Sequence, residues 1–310
     1  PDGVNVEYRY DSLGRLVSVD DGHDHPLEFE YDKQGRLVTE HQGWGTLRYG
    51  YDACGQLNHL RLPDNSKLDF HHAKGGALTA IDLNGARLTA HTFFAGREQQ
   101  RQQGLLLSDY QYDNEGRLNT HAVRQNLQPL YRRDYAYSAN GNLDRIADSR
   151  HGQRSYHYDS LDRLIRVRHS RDHQPENFAH DPAGNLLMQD RPGLATVKGN
   201  RLLIQGDRHY DYDAFGNLIR ERRGTAQKLV TEYRYDCQHR LISVTLPNGS
   251  QATYRYDAFG RRISKNVDGH ITEFFWQGNN LVAEGGGEHY RSYIYEPGSF
   301  RPLVMLDGKG

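Results

Sequence analysis

Residues 8–16 read YRYDSLGRL, and this stretch decides the fold of the chain. Residues two apart on a β-strand share a face, so Tyr8 and Tyr10 would form one aromatic surface. An Asp at the head of a turn accepts a hydrogen bond from the backbone N–H two residues on. A Gly three positions after the Asp supplies the positive φ that closes a type I turn with a bulge. The stretch therefore predicts a β-hairpin whose tip runs from Asp11 to Gly14.

The motif aromatic-x-aromatic-Asp-x-x-Gly-Arg/Asn-Leu recurs along the whole chain with a period of about 21 residues. The repeated residues are interpreted as structural: aromatic residues pack the strand, Asp and Gly form the turn, and Arg pairs with the Asp or lies over a Tyr ring. These residues are Tyr8, Tyr10, Asp11, Gly14 and Arg15; Tyr31, Asp32, Gly35 and Arg36; Tyr51, Asp52 and Gly55; Tyr112, Asp113, Gly116 and Arg117; Tyr158 and Asp159; Asp181 and Gly184; Tyr212, Asp213 and Gly216; Tyr235 and Asp236; and Tyr256, Asp257, Gly260 and Arg261.

Further turns connect one hairpin to the next. Gly, Pro, Asn and Ser cluster at 63–66, 138–141, 247–250 and in the glycine run 285–287, which are predicted turns. A unit of about 21 residues then holds two strands of roughly eight residues and two turns. The spacing of the units is broken by one insertion, near 187–208.

These repeats predict an all-β fold built from tandem antiparallel hairpins. Some fourteen units give on the order of 28 strands, and a twisted sheet that wide must curl, split or spiral. We expect a curved, spiralling wall. The alternative is a seven-bladed β-propeller, in which two hairpins make a blade of roughly 42 residues. The single hairpin is the repeating unit here, which favours the wall.

The composition excludes several classes of function. The 39 Lys and Arg nearly cancel the 40 Asp and Glu, so a net charge of −1 offers no overall field for nucleic acid or anionic lipid. No apolar run approaches the roughly 18 residues that a membrane-spanning helix needs. We therefore predict no nucleic-acid partner and no membrane insertion by this chain.

Candidate metal and catalytic residues do not form a recognised pattern. His23, Asp24 and His25, or His71 and His72, lack a third ligand at metal-site spacing, and the Asp-x-x-Gly turns lack the alternating ligands of a calcium loop. Cys54 and Cys237 are predicted to be inert thiols. No nucleophile elbow, phosphate loop or dinucleotide fingerprint is present. We predict no catalytic residues, no metal and no cofactor, hence a chain that is not an enzyme.

The tandem Tyr-Asp-x-x-Gly-Arg-Leu units resemble the YD repeats of the Rhs family of bacterial polymorphic toxins, which Tc toxin complexes and teneurins share. The C-terminal stretch looks like the approach to the Rhs core, and it comprises Tyr295, Glu296, Pro297, Gly298, Phe300 and Pro302. The resemblance implies a β-hairpin cocoon around a C-terminal toxin domain, exported by machinery such as type VI secretion. The Asp-Pro-x-Gly-Leu end of the family's core signature and its self-cleaving protease are absent before Gly310, so autoproteolysis is not carried over.

The sequence is interpreted as one shell segment over 1–310, with 274–310 as the approach to the core and no toxin, autoprotease or secretion-docking domain of its own. The expected function is to enclose a C-terminal toxin until delivery to a target cell. The resemblance implies partners in the remaining shell segments and the toxin domain and, through other regions, in secretion-apparatus proteins and an adaptor chaperone. It also implies synthesis in the bacterial cytoplasm followed by export. The alternative is an extracellular carbohydrate-binding module that uses its Tyr and Arg side chains for stacking.

Overall fold

The computed structural model describes residues 5–22, 26–172, 174–188, 196–199, 201–287 and 289–309. These residues form thirty β-strands and one short 3₁₀ helix, Thr225–Gln227. The prediction of an all-β fold of tandem hairpins is confirmed.

The strands follow one another along the chain with short connections. The first eighteen are β1 (Glu7–Tyr10), β2 (Leu16–Asp20), β3 (Leu27–Tyr31), β4 (Leu37–Gln42), β5 (Gly45–Tyr51), β6 (Leu57–Arg61), β7 (Lys67–His72), β8 (Leu78–Leu83), β9 (Ala86–Phe94), β10 (Arg97–Gln103), β11 (Leu106–Tyr112), β12 (Leu118–Gln125), β13 (Gln128–Tyr137), β14 (Leu143–Asp148), β15 (Gly152–Tyr158), β16 (Leu164–His169), β17 (Glu176–His180) and β18 (Leu186–Met188). The remaining twelve are β19 (Thr196–Lys198), β20 (Arg201–Gln205), β21 (Arg208–Tyr212), β22 (Leu218–Arg223), β23 (Leu229–Tyr235), β24 (Leu241–Thr245), β25 (Gln251–Tyr256), β26 (Arg262–Val267), β27 (His270–Gln277), β28 (Asn280–Gly286), β29 (His289–Tyr295) and β30 (Pro302–Lys309).

The strands belong to two sheets, one of 18 strands and one of 12. Neighbouring strands are antiparallel and consecutive in sequence, as in the pairs β3–β4, β4–β5 and β5–β6. Sheets this wide leave no room for the four-stranded blades of a propeller, so that alternative is wrong for the part of the chain described here.

The tip of the first hairpin has the predicted turn. The N–H of Gly14 donates to the Asp11 carbonyl at 3.0 Å, the N–H of Asp11 donates to the Arg15 carbonyl at 2.9 Å, and Gly14 has φ 76°. The strand register shifts between Arg9 and Tyr10, which marks the β-bulge expected beside such a turn. The same shift falls just before the second aromatic residue of the later hairpins, as at 30/31, 111/112 and 255/256.

Two details differ from expectation. Most strands are shorter than eight residues, because the turn and the bulge take up much of each 21-residue unit. The glycine run 285–287 is not wholly a turn, since β28 extends through Gly286. A Cβ on Gly286 would lie 2.5 Å from the backbone oxygen of Ile271, so this glycine permits close approach of two backbones rather than chain reversal.

The chain divides into two compact units. The first comprises Pro1–Phe70, Leu83–Gly85 and Asp207–Gly310, and the second comprises His71–Asp82 and Ala86–Gly206. In the first unit, the N-terminal hairpins pack on the C-terminal hairpins, and the buried side chains include Val19, Leu47, Leu60, Leu68, Phe70, Phe275, Val282, Ala283 and Ile294. The second unit buries mainly polar groups besides Leu78, Ala80, Ile81 and Val123. Within the predicted insertion, β19 pairs with β20 in antiparallel fashion.

Candidate functional site

Each complete repeat contains the same arrangement of Asp and Arg at the hairpin tip. In the first copy, Asp11 Oδ1 accepts hydrogen bonds from the N–H groups of Leu13 and Arg15, both at 2.9 Å, and Oδ2 accepts one from Arg15 Nε at 2.6 Å. The carboxylate therefore fixes both the turn and the residue that directly precedes the return strand. The same ion pair recurs in Asp32–Arg36, Asp113–Arg117, Asp159–Arg163, Asp236–Arg240 and Asp257–Arg261.

The Arg also reaches the next repeat. The Arg15 guanidinium lies 4.9 Å from the centre of the Tyr31 ring, and its Nη1 donates to the Asp32 carbonyl at 3.2 Å. The Tyr31 hydroxyl donates back to the Leu16 carbonyl at 2.8 Å. One Arg and one Tyr thus join neighbouring hairpins by a cation–π contact and two hydrogen bonds to backbone. We call this arrangement the repeat clamp; its tyrosine hydrogen bond recurs at Tyr51, Tyr112, Tyr137, Tyr158 and Tyr256.

Sequence reasoning found only part of the clamp. It predicted that Arg would pair with Asp or cover a Tyr, and the structure shows both contacts at one residue. It missed the hydroxyl bond to the preceding repeat. A signal was available, because the second aromatic position is Tyr rather than Phe in most copies and only Tyr carries a hydroxyl. At the corresponding position Trp276 uses its ring N–H in the same way, donating to the Arg262 carbonyl at 2.8 Å.

Other sequence-predicted residues occupy variants of this arrangement. Asp181 and Asp213 bind the side-chain amides of Asn185 and Asn217 instead of an Arg. Asp52 holds its turn through backbone N–H groups, with Gln56 following Gly55. Tyr8 and Tyr10 lie in the first strand, which ends at Tyr10, and both are exposed. The positive-φ glycines Gly35, Gly116, Gly184, Gly216 and Gly260 all lie at hairpin tips, and Tyr212 and Tyr235 end their strands.

The stretch interpreted as the approach to the Rhs core forms one more hairpin tip. Ser299 donates its N–H to the Glu296 carbonyl at 3.1 Å, so Glu takes the place of the usual Asp, and Gly298 has φ 72°. Tyr295 precedes this turn at a register shift, and Pro302 begins the return strand β30. Phe300 is exposed and Pro297 lines a cavity of the first unit.

Acid should weaken the repeat clamp. The N–H of Arg163 holds the pKa of Asp159 below its usual 3.8, and the Arg163 guanidinium adds to this against the opposing effect of burial. Outside the repeat clamps, burial likewise opposes at Asp148, but the N–H of Arg150 and the Arg133 guanidinium lower the pKa of this carboxyl to about 2. A carboxyl with a lowered folded-state pKa contributes stability above its unfolded pKa and loses it as the pH falls.

We therefore expect the urea midpoint of unfolding to fall progressively as the pH drops from about 4 toward about 2. In a ¹³C titration of the carboxyl groups, Arg163→Gln should raise the pKa of Asp159 and leave that of Asp181, which Asn185 binds, unchanged. A urea midpoint that stays constant between pH 5 and pH 2 would contradict the expectation.

A second arrangement of charges lies in the interior of the first unit. Arg261 Nε donates to Asp257 at 2.6 Å, and its Nη1 donates to the Gly278 carbonyl at 2.9 Å and lies 3.5 Å from Glu40. Only 8% of Arg261 and 3% of both Asp257 and Glu40 are exposed. This last repeat clamp is thus buried, and it gains a carboxylate from the N-terminal hairpins.

Two further N-terminal side chains complete this cluster. Gln42 Nε2 donates to Glu40 at 2.6 Å and to the Trp276 backbone carbonyl at 2.5 Å. The Trp276 backbone N–H donates to Gln42 Oε1 at 3.2 Å. The Tyr49 hydroxyl donates to Glu40 at 3.0 Å. Burial raises the pKa of Glu40, and the Arg261 charge and these hydrogen bonds oppose the rise. We call Glu40, Gln42, Tyr49, Asp257 and Arg261 the buried cluster.

The second unit has a polar centre of its own. Glu98 binds His91 Nδ1 at 2.6 Å and Arg101 Nε at 2.9 Å, and the Arg101 guanidinium lies 5.6 Å from the centre of the Tyr110 ring. The bonds to His91 and Arg101 outweigh burial and lower the pKa of Glu98. In both clusters, buried charges are paired with opposite charges of the same hairpin or of another one. The ionisable groups therefore serve the structure of the wall.

The residues considered for metal or redox chemistry do not come together. Within the described ranges, no group of three His, Cys, Asp or Glu could hold a metal ion. His71 binds Asp82 at 2.8 Å, and Cys54 and Cys237 are exposed and free. His23, Asp24 and His25 lie outside the described residues. No described helix is long and apolar enough to cross a membrane.

Known proteins share this sequence and fold. The family model of the teneurin YD-shell matches residues 2–93, 98–243 and 142–281. The double-stranded DNA deaminase toxin A of Burkholderia cenocepacia is 33% identical over 97% of this chain and 21% of its own length. The probable deoxyribonuclease RhsB of Dickeya dadantii is 32% identical over 72% of this chain and 16% of its own length, and the toxin protein Tse5 of Pseudomonas aeruginosa is 28% identical over 97% and 26%.

A solved structure gives the same fold. The Photorhabdus luminescens Tc holotoxin pore matches with a TM-score of 0.52 and 15% identity, over 94% of this chain and 20% of that one. The chain spans between 16% and 26% of the length of these proteins. The hairpin repeat, the family match and the identity to Rhs-type toxins agree, and the chain belongs to the Rhs/YD-shell family.

Proposed function

We propose that this chain is a segment of the curved wall that encloses the C-terminal toxin domain of a larger protein until that protein reaches its target cell. The observation that carries the proposal is the repeat clamp, in which an Arg and a Tyr join one hairpin to the next through side-chain and backbone contacts. Because the clamp lies between repeats and uses no residue for chemistry, it supports a continuous wall rather than a catalytic surface.

The similar toxins support the same proposal. Their names state a deaminase, a deoxyribonuclease and a toxin, while the part shared with this chain is a hairpin shell. We propose that the parent of this chain likewise carries its toxic activity in another domain, so that the shell itself is not an enzyme. Its partners would be the adjoining shell segments and the toxin domain. Secretion-apparatus proteins and an adaptor chaperone would bind other regions, and the protein would be made in the bacterial cytoplasm and then exported.

The alternative of a carbohydrate-binding module receives less support from the geometry. A sugar-stacking platform needs free ring faces, but clamp tyrosines such as Tyr31, Tyr51 and Tyr137 are covered by a guanidinium within 5 Å of the ring centre. Their hydroxyls are bound to backbone carbonyls. These tyrosines are committed to joining hairpins.

Enclosure makes a direct prediction for the parent protein. In limited proteolysis of the intact parent, we expect the toxin domain to be cut at least about tenfold more slowly than the same domain expressed alone, since protease cannot reach it. A protease site inserted at the exposed hairpin tip around Glu115 is the control, and it should be cut quickly in the same sample. Equal cleavage rates for the enclosed and the isolated toxin domain would reject the proposal.

A further inference from the structure

A groove of about 480 Å³ lies in the first unit between the turn that joins β4 to β5 and the strands β27, β28 and β29. Trp44 of that turn and Tyr290 of β29 form its aromatic walls, and Glu273 of β27 adds a carboxylate. Trp44 is 48% exposed and Glu273 is exposed as well, so the groove is accessible from solvent. Grooves of this volume that combine aromatic walls with a few polar groups are typical of ligand sites.

The strand register leaves a gap between the carboxylate and the phenol ring. Glu273 is the partner of Gly285 on the next strand, and Gly285 is the partner of Tyr290 on the strand after that. Directly opposed residues share a face, so Glu273 and Tyr290 flank a position without a side chain, with their backbones about 10 Å apart. A Cβ on Gly285 would lie 3.3 Å from the Tyr290 ring. The glycine thus keeps open a slot with a ring on one side and a carboxylate on the other.

The groove carries a negative charge that its lining does not balance. Within the described ranges, Glu273 forms no ion pair, and the lining includes no Lys or Arg. His289 also lines the groove, but its ring lies 3.5 Å from Asp307. Burial raises the pKa of Tyr290, and the Asp64 charge contributes to the rise, so a second carboxylate acts on the same ring. The electrostatics therefore favour a cationic ligand over an anionic or a neutral one.

The chain itself shows which cation suits a carboxylate beside an aromatic ring. In the repeat clamp, a guanidinium such as that of Arg15 pairs with a carboxylate and covers a Tyr ring. In the second unit, Arg101 pairs with Glu98 and covers the Tyr110 ring. A guanidinium is planar, binds a carboxylate through two parallel N–H groups and stacks on aromatic faces, whereas an ammonium is a compact and strongly hydrated charge. The groove has the carboxylate and the rings of such an arrangement but lacks the guanidinium.

We propose that this groove binds the guanidinium group of an arginine side chain presented by another polypeptide segment. Glu273 pairs with the guanidinium over Gly285, and the rings of Trp44 and Tyr290 flank it. The proposal goes beyond enclosure of a toxin and does not depend on it, because it assigns a ligand class to one groove of the first unit.

The two tryptophans of the chain allow a direct test by NMR. Trp44 lines the groove, whereas Trp276 does not and donates its ring N–H to the Arg262 carbonyl. In a titration with N-acetyl-arginine methylamide, we expect the indole N–H resonance of Trp44 to shift saturably and that of Trp276 to stay in place. N-acetyl-citrulline methylamide, which has nearly the same shape and no charge, should bind at least about fivefold more weakly. N-acetyl-lysine methylamide should also bind more weakly than the arginine compound.

Matched variants separate the groove from a general effect of charge. Glu273→Gln should bring the binding of the arginine compound down to that of the citrulline compound. Glu30 is also exposed, lies on β3 of the same unit and does not line the groove, so Glu30→Gln should leave the preference unchanged. Gly285→Val places a side chain in the slot and should abolish the saturable shift of Trp44. If Gly285→Val fails to fold, the comparison of the two Glu variants still decides.

Three results would overturn the proposal. The first is a Trp44 resonance that does not shift saturably with the arginine compound. The second is equal binding of the arginine compound and either the citrulline or the lysine compound. The third is an equal preference for arginine in Glu273→Gln and Glu30→Gln. None of these results bears on the proteolysis of the toxin domain in the parent, so this proposal and the proposed function can fail separately.

Discussion

Replacing Phe275 with alanine is expected to lower the free energy of unfolding of the first unit by about 3–5 kcal/mol, because it removes a fully packed aromatic ring and leaves a cavity. Phe275 is 1% exposed and lies 5.4 Å from Trp44, measured between ring centres. A Cβ on Gly45 would lie only 2.6 Å from the Phe275 ring, which shows how closely the N-terminal hairpin approaches it. The ring therefore joins the first hairpins of the chain to the last.

The neighbouring Phe274 provides a matched control on the same strand. Its side chain is half-buried and points to the opposite face of β27, so Phe274→Ala should cost clearly less. Native-state hydrogen exchange, read separately for β4–β5 and β27–β29, measures the effect. We expect Phe275→Ala to raise exchange in both groups of strands. A change confined to β27–β29 would show that the N-terminal hairpins are stable without this contact.

The hairpin itself was predictable because its determinants are local. The turn needs Asp11, Gly14 and the backbone between them, and these residues lie within four positions of one another. The incomplete repeat at Asp159–Arg163 keeps the same turn, although Asp162 replaces the Gly. This is possible because Asp tolerates the left-handed region, and Asp162 has φ 58°. The periodicity of the sequence was sufficient to predict the strands, the turn and the bulge.

The buried cluster was not predictable in the same way. Gln42 and Trp276 are 234 positions apart, and a repeat pattern does not specify which distant repeats meet. Alternation did carry a partial signal, because Glu40 and Gln42 share a strand face while Thr39 and His41 occupy the other. Two polar residues on one strand face indicate that a polar partner packs against that face, but they do not identify the partner. Arg261 follows the same Asp-x-x-Gly sequence as Arg15, Arg36 and Arg117, so nothing on that side of it indicates burial.

Because Arg261 has the same Asp-x-x-Gly-Arg turn as the exposed clamps, replacing it tests how burial changes the contribution of a repeat clamp to stability. Arg261→Ala is expected to lower the free energy of unfolding of the first unit by about 3–5 kcal/mol, since it leaves Asp257 and Glu40 in the interior without a cation. The matched variant Arg36→Ala removes the same Asp–Arg pair from a clamp that is about one-third exposed, where solvent compensates the charge. We expect a much smaller loss there.

The buried Glu40 carboxyl, left without the Arg261 charge, should make the stability of the Arg261→Ala variant depend on pH. A simple packing defect would not. Burial already raises the pKa of Glu40 above its usual 4.5, and removal of the opposing Arg261 charge should raise it further. A carboxyl with a raised folded-state pKa favours folding when protonated, so the deficit of the variant should shrink as the pH is lowered from about 8 toward 5. Adding Glu40→Gln should recover part of the deficit at pH 8 and weaken its pH dependence. Equal deficits in Arg261→Ala and Arg36→Ala, both independent of pH, would mean that the buried cluster contributes no more than an ordinary repeat clamp to holding the first and last hairpins together.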